Sequence, residues 1–126
     1  MRYCIGVALL LLAGCAFDVL HLHQVPAHFE AASGSTETWV LGQEARIRLA
    51  QGYATPLRQG TLWRRVGRVE QGDVFKTTDQ AVTVQASNVY EAQLVMSGNT
   101  IVGFYLPVER SFTAADPPQE VLRTSR

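Results

Sequence analysis

The stretch Val89-Tyr90-Glu91-Ala92-Gln93-Leu94-Val95-Met96-Ser97-Gly98-Asn99-Thr100-Ile101-Val102-Gly103-Phe104-Tyr105-Leu106 decides the fold of this chain. Tyr90, Ala92, Leu94 and Met96 recur with period two, which sets them on one face of an extended strand. Gly98-Asn99 then supplies a tight turn, because both residue types tolerate positive φ. Residues 101–106 return as a second strand, and Pro107 ends it, having no N–H to give to a ladder. Phe104 and Tyr105 are adjacent and so face opposite sides of that strand. Phe104 is the better core residue; Tyr105 is left for the surface or a partner.

Outward from this hairpin the same pattern repeats. Residues 39–41 and 45–50 read as strands, the second alternating Arg46-Ile47-Arg48-Leu49. Residues 62–69 form another candidate, followed by the turn signal Gln71-Gly72-Asp73 and a strand at 74–76. Residues 81–86 alternate again, with Val82 and Val84 on one side. Short strands at regular spacing, with no strongly helical stretch, predict an all-β domain at 39–113, a small barrel or sandwich.

The amino-terminal end carries a different message. Met1-Arg2 precedes an apolar run over residues 4–13 and then Leu12-Ala13-Gly14-Cys15. The run is about ten residues, well short of the roughly 20 that a membrane-spanning helix needs. A cationic start, a short apolar stretch and small residues before a cysteine resemble the signal peptide and lipobox of bacterial lipoproteins. The resemblance implies cleavage of residues 1–14 and acylation of Cys15 as the new first residue, which attaches the protein to a membrane. Ala16 rather than aspartate follows the anchor, and the family's sorting rule then implies the outer membrane, with the domain facing the periplasm. Residues 15–38 read as lipidated anchor and flexible tether, apolar near Phe17, Val19, Leu20 and Leu22 and small and polar at 31–36. Residues 114–126, with Asp116-Pro117-Pro118, read as an exposed tail.

Loss of the leader leaves 112 of the 126 residues, one modest domain. It removes Arg2 and no acid, so ten basic and eleven acidic residues remain, a net charge of minus one. That balance provides no long-range field for nucleic acid, which is not an expected partner. Cys4 leaves with the leader and Cys15 is acylated, so no thiol remains for a disulfide and the core alone must hold the fold.

A second resemblance concerns the domain. Leu62-Trp63-Arg64-Arg65-Val66-Gly67-Arg68-Val69-Glu70-Gln71-Gly72-Asp73-Val74 resembles the strand-turn-strand of bacterial SH3-like domains, an aromatic followed by hydrophobic-Gly-x-hydrophobic, two polar residues and Gly. Val102-Gly103-Phe104-Tyr105-Leu106 is similar to their closing hairpin with its Gly-aromatic step. Where those domains carry an arginine-small-Gly-Pro signature, this chain has Pro56-Leu57-Arg58-Gln59-Gly60. The resemblance implies an SH3-like barrel and carries no ligand with it.

Three constellations bear on function. His21, His23 and His28 lie together, but no acid or thiol stands at metal-site spacing beyond Asp18 and Glu30; the expectation is no metal site and no cofactor. Arg46, Arg48, Arg58, Arg64, Arg65 and Arg68 crowd into 23 positions, and planar guanidiniums suit carboxylates and phosphates. Alternation sets Arg46 with Arg48 and Arg64 with Arg68, so these four, with Tyr105, are the candidate partner-binding residues; a solvated face balanced by Glu44, Glu70 and Asp73 is the plainer reading. Trp39, Trp63, Tyr90 and Phe104 serve a groove or, more economically, the core. Hydrolase elbows, phosphate loops and zinc-protease motifs are absent, and no enzyme is expected. The sequence thus predicts an outer-membrane lipoprotein that serves as binding or assembly accessory to an envelope complex of secretion or conjugation type. A peptidoglycan-binding module is the alternative.

Overall fold

The computed structural model describes residues 22–34 and 37–125, and among them every regular element is a strand. Two short strands come first, β1 (Val25–Pro26) and β2 (Glu30–Ala31), then β3 (Thr38–Leu41), β4 (Ala45–Ile47) and β5 (Thr55–Leu57). The centre of the chain supplies β6 (Leu62–Val69), β7 (Gly72–Lys76), β8 (Thr83–Gln85) and β9 (Val89–Glu91). The last four are β10 (Gln93–Ser97), β11 (Thr100–Leu106), β12 (Ser111–Glu120) and β13 (Arg123–Thr124). Nine strands form one sheet in the order β1-β12-β11-β10-β7-β6-β3-β13, with β2 also on β6. The hairpins β4-β5 and β8-β9 are separate two-stranded sheets. The fold is all-β as the pattern of short strands predicts, and of the two expected architectures it is the sandwich; the strands do not close into a barrel.

The deciding hairpin forms as its sequence dictates. Ser97 pairs with Thr100 across the turn, and Gly98 adopts a φ of 61°, a backbone that an L side chain resists. Leu94, Met96, Ile101, Phe104 and Leu106 enter the main core with Trp39, Leu41, Ile47, Leu57, Trp63 and Phe75. Val95 and Tyr105 point the other way and join Val69, Val74 and Phe112 in a second, smaller cluster. Both faces of the large sheet are therefore apolar, and both need cover. The two small hairpins supply it on the first face, through Ala45, Ile47, Leu57 and Val84.

Cover for the second face comes from the segment expected to be a flexible tether. Val25 and Pro26 pair with Phe112 and Ser111, while Glu30 and Ala31 pair with Arg68 and Gly67. From β1 to β2 across the sheet is six inter-strand spacings, about 29 Å if the sheet were flat. Pro26 to Glu30 is four residues, at most about 14 Å of chain. The sheet must curl toward this strap, and the Ala27 and Phe29 side chains fill the hollow. Phe29 stacks on Tyr105 at 5.1 Å between ring centroids, with planes 17° apart. Further ties are the Ala27 N–H to the Arg110 carbonyl at 3.0 Å and the Thr113 hydroxyl to the His23 carbonyl at 2.7 Å. The tether expectation is thus corrected for residues 22–34: a half-apolar segment was available to a sheet face that no other described segment covers.

Two glycines make room for these rings. A Cβ at Gly67 would overlap the Glu30 carbonyl and the Phe29 ring, and one at Gly103 would overlap the Thr113 carbonyl and stand 2.7 Å from the Phe112 ring. The glycines that give the sequence its SH3-like look are thus places where aromatic rings cross the backbone. Phe29→Ala is expected to cost about 2 kcal/mol, below the range for a fully buried phenylalanine because the ring is only partly buried. A urea titration checks this through its midpoint.

The expected exposed tail is likewise ordered. β12 pairs with β11 in two stretches, Ala114 to Ser111 and Glu120 to Gln119, and Pro117-Pro118, which lack N–H groups, fall in the break between them. β13 then pairs with β3. The Arg123 guanidinium lies 5.5 Å from the Trp39 ring centroid and 6.0 Å from that of Phe75, donates to Asn99 Oδ1 at 2.9 Å, and pairs with Glu37 at 3.2 Å. A polar-looking terminus closes the core because arginine covers aromatic faces while keeping its charge in water.

Candidate functional site

Cys15 and His21 lie outside the described residues. The remaining sequence-predicted site residues are not brought together. Arg46 and Arg48 belong to the β4-β5 hairpin side of the molecule, both exposed and alternating with buried Ala45, Ile47 and Leu49 as expected. Arg64 and Arg68 sit on β6, but on opposite faces. A register shift between Arg65 and Gly67 sets Arg64 opposite Lys76 and Arg68 opposite Asp73. Lys76 and Asp73 are three residues apart on a strand that pairs regularly with β10, so they point to different sides. The expectation that Arg64 and Arg68 share a face is therefore corrected; the bulge flips the second half of the strand.

Arg65, which the face argument left aside, donates to Asp73 at 3.3 Å and is a half-buried ion pair. Tyr105 is not partner-facing: it is 5% exposed, because Phe29 lies on it. Phe104 and Tyr105 do face opposite sides, and both are buried. Trp39 and Trp63 are core residues, stacked at 5.8 Å. His23 is exposed beside the strap, and His28 lines a hollow with Glu30, Arg68 and Glu70. Among the described residues no three histidine, cysteine or acidic side chains converge as a metal site would require.

What the structure assembles instead is a cationic pair and a cavity. Arg64 and Lys76 are directly opposed across β6 and β7, and both are exposed. Among the described residues neither makes an ion pair. Like charges directly opposed across strands repel, an arrangement that an anion between them would relieve. Leu62, Val66 and Thr78 complete a hollow of about 260 Å3 around the two cations. Lysine at 76 escaped notice in the sequence because only its register opposite Arg64 makes it part of a site.

The cavity, of about 430 Å3, opens beside the start of the strap, between β12 and the residues that follow β4. Leu22, Val25, Leu49, Ala50, Phe112 and Ala115 give its wall an apolar character, with His23, Gln51, Gln71 and Thr113 between them. Leu49 bridges to Ala115, and the Asp116 N–H donates to the Arg48 carbonyl at 2.8 Å, which fixes the rim. No periodicity in the sequence announces it, since its wall is drawn from four separated segments. Comparison with protein-family models, with curated proteins and with solved structures finds no match to this chain.

Proposed function

We propose that this protein is a lipid-anchored accessory of an envelope complex, held to the outer membrane through Cys15 and docking an acidic patch of a membrane-proximal protein through Arg64 and Lys76. The observation that carries this reading is the run Leu12-Ala13-Gly14-Cys15 at the end of a short apolar stretch. Support for the kind of partner comes from reach. Only residues 16–21 separate Cys15 from Leu22, where the described domain begins, and seven residue steps extend at most about 25 Å. A domain on so short a lead meets proteins in or at the bilayer before it meets the cell wall, which favours the assembly reading over peptidoglycan binding. The unrelieved Arg64–Lys76 pair, on the strap face of the sheet, is the element best suited to an acidic surface.

The test is affinity purification of the tagged, lipidated protein from cross-linked envelopes. The reading expects a few envelope proteins in stoichiometric amounts. Arg64→Glu with Lys76→Glu should cut their recovery at least about tenfold while thermal unfolding stays unchanged. Muropeptides recovered without protein partners would replace this reading with the cell-wall one.

A further inference from the structure

The apolar cavity beside the strap has a polar neighbour. A hollow of about 300 Å3 shares Leu49 and Asp116 with it and adds Arg48 and Tyr53. Arg48 and Asp116 are both exposed, are held together through their backbones, and make no ion pair with each other. One end of the joined site is therefore a greasy pocket, and the other offers one cation and one anion side by side. From this we infer that the site binds a single-chain zwitterionic lipid, a lysophospholipid with an ethanolamine head. Its acyl chain occupies the cavity, its phosphate meets the Arg48 guanidinium, and its ammonium meets the Asp116 carboxylate.

Size selects one chain. A methylene group is close in bulk to a water molecule, whose share of liquid volume is about 30 Å3, so 430 Å3 accepts about fourteen methylenes. Two tails of that length would need about twice this volume. Charge selects the head: a fatty-acid carboxylate would face Asp116, whereas a head bearing both signs satisfies both side chains. Position agrees, for Leu22 in the cavity wall is seven residues from Cys15 and so within reach of the bilayer on the lipoprotein reading. The lining and the two charges stand whether or not Cys15 is acylated, so failure of the anchor would not remove the site.

The experiment is calorimetric titration of the full chain carrying Cys15→Ser with lysophosphatidylethanolamine of twelve or fourteen carbons, below the micelle concentration. One-to-one saturable binding is expected, roughly tenfold tighter for the longer chain and no tighter beyond about fourteen carbons. Ala114→Trp plugs the mouth from an exposed position and should abolish binding; Gln51→Trp does the same from the other rim if the first variant fails to fold. Arg48→Glu should weaken binding about tenfold. Equal binding by the plugged variants, or none by the parent chain, overturns the inference. Binding that appears only after Phe17→Ser with Leu20→Ser also overturns it, because the chain's own apolar segment would then be the occupant.

Discussion

Cys15→Ser is expected to remove the protein from the outer-membrane fraction altogether and leave an unprocessed, unacylated precursor. The magnitude follows from how lipid anchors work. Each buried methylene contributes about 0.8 kcal/mol, so one acyl chain gives reversible attachment and three give effectively permanent attachment. A serine at this position accepts no diacylglyceryl thioether, and without it the lipoprotein peptidase has no substrate. The apolar run of about ten residues is too short to span the bilayer and replace the anchor. The domain itself should be untouched, since Cys15 precedes every described strand in the chain. Density fractionation with immunodetection reads the outcome: wild type bands with outer membrane, and the variant does not. A variant that still bands there at the processed size would sink the lipoprotein reading.

Trp63→Ala is expected to cost about 3–5 kcal/mol, a large part of the stability of a domain this size. Trp63 is fully buried, stacks on Trp39 at 5.8 Å, and donates its Nε1 hydrogen to the Thr61 hydroxyl at 2.8 Å. Removing it opens a cavity between β3 and β6, strands near one end of the sheet, and leaves Trp39 with the Phe75 ring and the Arg123 guanidinium as its remaining partners. Residues 16–126 contain no cysteine, so no disulfide within them holds the chain while the core rearranges. Denaturant unfolding followed by tryptophan fluorescence should show a much lower midpoint, or no folded baseline at all. An unchanged midpoint would mean that the Trp39–Trp63 stack does not anchor the core.

The contrast between Trp63 and Phe29 shows what the sequence made legible. Trp63 stands in an eight-residue strand with clear alternation, and the 89–106 hairpin carries period two on both sides of a glycine turn; local pattern and burial agree there. Phe29 lies between two-residue strands whose residues are exposed, which leave no periodicity to read. Its partner Tyr105 is 76 positions away, and nothing local says that the second sheet face needs cover. The same gap hides β12, where Pro117-Pro118 argue for a tail while the flanking residues pair with β11. At the candidate site, the alternation of Arg46 and Arg48 was legible, and the facing of Arg64 and Arg68 was not. Gly67 marks the bulge that separates Arg64 from Arg68, but a glycine inside a strand does not say on which side the chain resumes. The Arg64–Lys76 opposition and the cavity exist only through register and curvature, which a single chain does not display.

The central claim is that Cys15 is the lipidated first residue of the working protein. Intact-mass spectrometry of the wild-type protein, extracted from the outer membrane of cells that produce it, tests this most directly. The predicted species begins at Cys15, lacks residues 1–14 and carries a diacylglyceryl group with an N-acyl chain. A species that retains the leader, or one that begins beyond Cys15 and bears no lipid, would contradict it.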